Sequence, residues 1–335
     1  MSDLLTPTGM LVTDAPPESP NWYAARAAGI TGTDLPKILG YSRYGNALSV
    51  WMQKRGELDD EAGEAARWGQ VLEDPVAQVW AQENEATVQP VGVLQHSEHG
   101  WRRASLDRLV AGCPDGPCGL EVKTRSAYVA DRWHDGVPDD VLAQVLWGLL
   151  VTGLDHMHVA ALIGGQRLQS YRVDRDPVIE QYLIDAASPV WQAVQDGTPP
   201  EVHPDADGVL LSLLDRLYTD RAGERELDPE RAEPWLAQYA DGNDLERQGR
   251  KLKAEAKAGL VQLLDDGDTG LIDEVPVLTY KRPTPGVEIT SDSLRELQTA
   301  QPDFYQALVD EGFITITSPG PRFLVKKRAR KDTET

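Results

Sequence analysis

Cysteine is nearly absent from this chain of 335 residues, with Cys113 and Cys118 the only two. Two thiols cannot ligate an iron–sulfur cluster that normally takes four. A single bridge between them is disfavoured in a reducing cytosol. Positive charge is scarce as well: 33 Lys and Arg stand against 54 Asp and Glu, a formal net charge of −21. Such a chain does not attract polyanions over its whole surface by counterion release. Long apolar runs are missing, and none reaches the ~18 residues a membrane span needs. The six histidines (His96, His99, His134, His156, His158 and His203) show no zinc-site spacing. His156 and His158 share one strand face and could chelate an ion, but they read better as partly buried strand histidines. Residues 1–20 are polar and Pro-rich, with no cationic segment followed by an apolar one. They are expected to form a mobile arm rather than a signal peptide.

What is present centres on Gly119-Leu120-Glu121-Val122-Lys123-Thr124. Side chains alternate along a strand, so Glu121 and Lys123 share one face and Leu120, Val122 and Thr124 the other. Alone, Glu-x-Lys reads as a surface ion pair. Beside a second acid it suits phosphodiester hydrolysis, where the Glu holds a divalent cation and the Lys orients a water or offsets phosphate charge. Residues 101–110 read as one strand with Asp107 inside it. Residues 111–118 are dense in Gly and Pro and read as a turn. The resulting hairpin can bring Asp107 beside Glu121. Asp115 follows a Pro and competes for the same role. It sits in the turn, too far from the strand centre to share a metal, so Asp107 is preferred.

A third acid, Glu73, lies on a helix predicted over 67–80 from the spacing of Trp68, Val71, Val76 and Trp80. Glu73 falls beside that apolar stripe, and alone it reads as a solvated helix acid. Pro75 is tolerable only in a first turn, so the helix is expected to restart there. Downstream, Pro138-Asp139-Asp140 opens a helix through Thr152, with acids at its positive end. This helix is apolar almost all round and should be buried. Gln144 is its one strongly polar interior residue and needs partners. Strands follow at 156–163 and 168–173 across the turn 164–167. The order helix, strands, buried helix, strands suits an α/β fold with a mixed central sheet flanked by helices.

In this order the segment from about Asn21 to Asp176 resembles the YqaJ-like viral recombinases, the phage lambda exonuclease family. Trp22, Arg26 and the Gly29-Ile30-Thr31-Gly32-Thr33 turn are similar to its opening motif. Trp68-Gly69 with Leu72-Glu73, then Asp107 with Glu121-Val122-Lys123, and the helix bearing Gln144 follow. The family's Pro before the strand acid is Leu106 here, and its second helix glutamine is Leu146. The resemblance implies a PD-(D/E)XK restriction-endonuclease-like core with a C-terminal α+β extension. It implies that Glu73, Asp107, Glu121 and the Val122 carbonyl bind Mg²⁺ or Mn²⁺. Lys123 would position the attacking water, Gln144 would support Lys123 or that water, and Arg26 with Thr33 would grip a 5′-phosphate. Guanidinium and hydroxyl suit a phosphate independently of the resemblance. Thr33 also reads as the cap of a helix starting at Asp34. Lys54, Arg55, Arg67, Arg102, Arg103, Arg125 and Arg132 are expected to line a DNA path, and Arg108 to point away from Asp107 toward phosphate.

The expected activity is a metal-dependent 5′→3′ exonuclease on one strand of linear double-stranded DNA, leaving 3′ overhangs and 5′-phosphomonoester products. A structure-specific or restriction-type endonuclease on the same core, and a non-catalytic DNA-end-binding protein, are the alternatives. The resemblance further implies a ring-shaped homo-oligomer such as a trimer, a single-strand annealing protein as partner, and the cytoplasm of a bacterial host. By composition, the exonuclease domain spans 21–197, a Pro-rich linker 198–208, an accessory domain 209–325 and a basic tail 326–335. The accessory domain is expected to hold an amphipathic helix over 240–264, in a helical hairpin or short coiled coil, a strand at 275–280, a helix near 291–298 and a strand at 313–317.

Overall fold

The computed structural model describes residues 5–58, 63–204, 208–219, 221–282 and 289–315. The basic tail at 326–335 lies outside these residues. The chain divides into two compact units, 1–219 and 220–335.

In the first unit the elements run β1 (Gly9–Thr13), α1 (Pro20–Ala27), α2 (Leu35–Ile38), α3 (Ala47–Lys54), α4 (Glu64–Glu83), β2 (Thr87–Gln89), β3 (Val93–His96), β4 (Arg103–Ser105), β5 (Arg108–Ala111) and β6 (Cys118–Arg125). They continue with α5 (Asp139–Thr152), β7 (His156–Ile163), β8 (Arg167–Asp174), α6 (Pro177–Asp196) and α7 (Val209–Leu217). The main sheet has the order β2-β5-β6-β7-β8. Only the central β6–β7 pair is parallel, with Leu120 opposite His158 and Lys123 opposite Ala161. A parallel pair needs a crossover, and α5 supplies it. A second, three-stranded antiparallel sheet has the order β1-β3-β4.

The expected mixed sheet flanked by helices is therefore present. On one face lies α5, started by Pro138 and two acids and closed by Gly153 at φ +72°, whose N–H bonds to the Leu149 carbonyl. Its residues from Val145 to Thr152 are all buried, as a helix apolar on every side must be. Trp147 is fully buried, and its indole N–H reaches the carbonyls of Arg103 (3.0 Å) and Ile30 (3.3 Å). On the other face α4 buries Val76, Ala77 and Trp80 against Val110, Leu120, Val122 and Ala160.

Several expectations need correction. The 101–110 segment is two strands: β4 pairs in the smaller sheet and β5 in the larger, and Leu106-Asp107 is the step between them. The helix α4 passes through Pro75 without restarting, and Trp68 and Val71 of the predicted stripe are exposed. The N-terminal arm is docked. Gly9–Thr13 pairs with β3, and the buried Thr6 hydroxyl donates to the Thr152 carbonyl at 2.8 Å. Helix α6, which the sequence reading did not contain, is capped by Asp176 and adds Leu183, Ala187 and Val190 to the core. Helix α7 packs Leu213 with Leu48, Trp51 and Met52, so it belongs to the first unit rather than to an accessory domain.

The second unit consists of α8 (Pro229–Leu264), β9 (Thr269–Ile272), β10 (Val275–Thr279), α9 (Ser291–Ala300) and α10 (Pro302–Asp310). Helix α8 starts eleven residues before the predicted 240 because Asp228 caps it and Pro229 takes the first position. None of its residues is buried, and Leu245 and Leu252 of the expected seam are exposed. The expected strand at 313–317 is absent over its described residues, 313–315.

Candidate active site

Glu121 and Lys123 project from β6 toward α5, the face opposite Leu120 and Val122. Glu121 is 2% exposed. Lys123 Nζ donates to Glu121 Oε1 and, at 3.0 Å, to Gln144 Oε1. Gln144 Nε2 donates to the same Glu121 oxygen at 2.5 Å. The one amide buried in α5 is thus satisfied at both ends, by the acid and the amine of the Glu-x-Lys pair. Asp107 closes the group: its Oδ2 accepts the Val122 N–H at 2.7 Å. This bond explains the break between β4 and β5. At the step between the sheets a side-chain oxygen takes the place of a ladder carbonyl.

Burial, then the neighbouring Glu121 carboxylate, hold the Asp107 carboxyl well above the usual carboxylate range; Lys123 opposes this and Glu73 adds to it. Two acids forced together away from water are a site for a cation. The oxygens that Asp107 and Glu121 offer are hard and would suit Mg²⁺ or Mn²⁺ rather than a soft ion. The rival Asp115 ion-pairs with Arg172 in the turn. Glu73 reaches the neighbourhood from α4, but its Oε1 accepts from Arg108 at 2.6 Å, and Asp74 takes the other nitrogen at 3.0 Å. Arg108 is buried, so it serves this helix-to-strand clamp and not a phosphate path.

Arg26 and Thr33 also meet. Arg26 Nη2 donates to Thr33 Oγ1 at 2.6 Å, and Nη1 donates to Ser105 Oγ. The guanidinium lies 4.3 Å from the Trp22 ring centroid, which fixes the side chain. Ser105 carried no signal in the sequence; only the β4 strand end places it two residues before Asp107. Thr31, not Thr33, is the cap of the short turn at Gly32–Asp34, since its N–H and hydroxyl both reach Asp34 Oδ2. That leaves the Thr33 hydroxyl to Arg26 and Thr31. Lys54, placed at the mouth by the sequence reading, instead forms a buried ion pair with Asp34 at 2.6 Å. Burial would raise the Asp34 carboxyl, but Lys54 brings it below its usual value. Gly32 is required by packing: a Cβ there would stand 2.9 Å from the Gln144 carbonyl and 3.0 Å from its Cγ. The two clusters share one small cleft, lined among others by Thr33, Ser105, Leu106, Glu121 and Gln144.

A sequence pattern of this kind, folded into this geometry, has counterparts. Residues 21–155 match the YqaJ-like viral recombinase domain. The resemblance drawn from the motifs holds over that segment, and the YqaJ-like domain contains Arg26, Thr33, Glu73, Asp107, Glu121, Lys123 and Gln144 alike. The chain is 27% identical over 248 residues to the uncharacterized protein YqaJ of Bacillus subtilis (strain 168), covering 70% of this chain and 76% of that one. Among solved structures it is similar to an alkaline exonuclease, LHK-Exo, from Laribacter hongkongensis. That likeness has 16% identity over 59% of this chain and all of the other, with a TM-score of 0.46. A phage-related exonuclease from Haemophilus somnus 129PT follows at 11% identity, 50% and 92% coverage and a TM-score of 0.38.

The sequence reading missed one cluster. Cys113, Cys118, His156 and His158 converge on the α4 side of the sheet. In the sequence the histidines show no zinc spacing, and the two cysteines stand 38 or more residues from His156. The parallel β6–β7 register that joins the two pairs has no signature in linear spacing.

Proposed function

We propose that this chain is a metal-dependent deoxyribonuclease that digests one strand of linear duplex DNA from its 5′ end, leaving 3′ overhangs. The observation that carries this reading is the shared cleft. Buried Glu121 and its half-buried neighbours Asp107, Lys123 and Gln144 lie beside Arg26, Thr33 and Ser105, so the acids that would hold a metal adjoin the groups that would grip a 5′-phosphate. Asp107, Glu121 and the Val122 carbonyl would hold Mg²⁺ or Mn²⁺, which would supply Lewis acidity for the phosphoryl oxygens and a water of lowered pKa. Lys123, fixed between Glu121 and Gln144, holds that water and offsets charge on the phosphate. Arg26 with Thr33 and Ser105 anchors a 5′-phosphate and so sets the register at which the chain is cut. Glu73 joins the acids only if Arg108 releases it.

With a net charge of −21, DNA binding would be confined to a local positive path beside Arg26 and would be salt-sensitive. The reading extends to 5′-phosphomonoester products, a ring-shaped homo-oligomer threaded by DNA, a single-strand annealing partner and the cytoplasm of a bacterial host; these rest on the family resemblance. Among the described residues no helix is long and apolar enough to cross a membrane.

The test is digestion of linear duplex with and without a 5′-phosphate in Mg²⁺, beside a closed circle and a Lys123→Ala control. Loss of linear DNA alone, faster from phosphorylated ends and abolished by the substitution, is expected. Nicking of the circle would point to an endonuclease, and no Lys123-dependent cleavage of either to an end-binding protein.

A further inference from the structure

Strand β6 carries chemistry on both of its faces. Glu121 and Lys123 face α5, whereas Cys118, three residues before Glu121, faces α4 with Leu120 and Val122. The parallel register sets His158 opposite Leu120 and Met157 opposite Gly119, so His156 stands abreast of Cys118. Cys113 returns to the same point from the β5–β6 turn, which Gly112 (φ +85°) and Gly116 (φ +104°) allow to fold back.

We infer that Cys113, Cys118, His156 and His158 form a structural zinc site. Their four donor atoms all lie within 4.8 Å of one another. Cys113 Sγ is 3.4 Å from His156 Nε2 and 3.8 Å from His158 Nε2. Zn–S bonds of about 2.3 Å and Zn–N bonds of about 2.0–2.1 Å at tetrahedral angles put neighbouring donors about 3.3–3.8 Å apart. The donors are thus spaced for one ion between them with little movement.

Two thiolates and two imidazoles form a closed S₂N₂ set, which selects zinc over the hard Mg²⁺ or Mn²⁺ of the carboxylate site. The surroundings agree. Cys118 and His156 are buried, and the Trp80 ring stacks 5.0 Å from that of His158. His156 Nδ1 has no hydrogen-bond partner among the described residues, although a buried polar atom normally has one. Packing alone gives no reason to bury an imidazole against a thiol and a second imidazole, and a metal does.

The ion would tie the β5–β6 turn to the start of β7. It would thereby pin the start of β6, the strand from which Glu121 and Lys123 project, without touching the reacting groups. This inference does not depend on the nuclease reading, and its test reads metal rather than cleavage.

The full chain, purified without chelator, is analysed for metal content and free thiols. About one zinc per chain is expected. Zinc should fall to near zero in Cys113→Ser and in His158→Ala but stay unchanged in Glu121→Gln. The Cys113→Ser chain has its substitution in a surface turn, and circular dichroism verifies that it is folded. Cobalt(II) added to chelator-treated wild type should give the thiolate-to-cobalt charge-transfer band and the intense visible bands of a tetrahedral site. Magnesium chloride alone should not restore the melting temperature that zinc chloride restores. Absence of both zinc and the cobalt spectrum in wild type would overturn the site. So would recovery of Cys113 and Cys118 as a disulfide, or zinc that persists in both ligand variants.

Discussion

Replacing Asp107 with Asn should stabilise the metal-free protein while destroying metal-dependent cleavage. Asp107 is half-buried beside Glu121, and its carboxyl is held well above the ordinary value of 3.8 by desolvation first and Glu121 second. The sign follows from linkage. A carboxyl whose folded pKa is raised disfavours its charged form in the fold. It therefore costs nothing below the unfolded value, and stability is lost as pH rises from there through the folded pKa. Each pH unit of displacement corresponds to about 1.4 kcal/mol. In a folded unit of about 200 residues that is about 3–6 °C of melting temperature. Asn removes the charge and keeps an oxygen for the Val122 N–H, so the 2.7 Å bond that closes the step between the sheets survives. Thermal unfolding in chelator near about pH 8 should put Asp107→Asn above wild type, and near about pH 4 the two should converge. Added Mg²⁺ should reverse the order, because only the wild type gains a full ligand set. A variant that melts below wild type in chelator at the higher pH, or a difference that does not move with pH, would refute the like-charge account of the site.

Four further outcomes are expected. Lys123→Ala should lower the cleavage rate about 10²–10³-fold, as loss of one preorganised donor does, measured by single-turnover digestion. Arg26→Ala should remove the preference for phosphorylated over hydroxyl 5′ ends while leaving Mg²⁺ dependence intact; a preserved preference would take the anion site away from Arg26. Asp34→Asn breaks the buried 2.6 Å pair with Lys54 and should cost about 3–5 kcal/mol in urea unfolding. Because the Asp34 carboxyl is lowered in the fold, its contribution is full above 3.8 and is lost as pH falls through the folded value. Gly32→Ala drives a Cβ toward the Gln144 backbone and should cost about 1–3 kcal/mol, together with activity, since Gln144 must shift off Glu121 and Lys123.

Local pattern was enough for the elements whose periodicity and caps agree. The helix from Asp139 is written in its Pro, its paired acids and its unbroken apolar run. Strands β7 and β8 are written as two strand-like runs around a Gly-Gly turn, and Glu121 with Lys123 in a two-residue spacing that any strand converts to one face. The α4 boundaries were less legible, because tertiary packing carries the helix through Pro75 and buries Val76, Ala77 and Trp80 in place of Trp68 and Val71. Asp107 was legible as an acid near Glu121 but not as the step between two sheets, since strand pairing is not encoded by residue type at 101–110. The charges were the least legible. Lys54 and Arg108 have the composition of a DNA-facing surface, yet burial against Asp34, Glu73 and Asp74 makes them structural clamps. The sequence by itself determined which residue types stand at strand and helix spacing, and hence the carboxylate–lysine chemistry. Only the tertiary structure decided which distant residues share a site. The parallel pairing of β6 with β7, which joins residues 38 apart such as Gly119 and Met157, gathers Cys113, Cys118, His156 and His158, and such long-range register is set by core packing rather than by local preference.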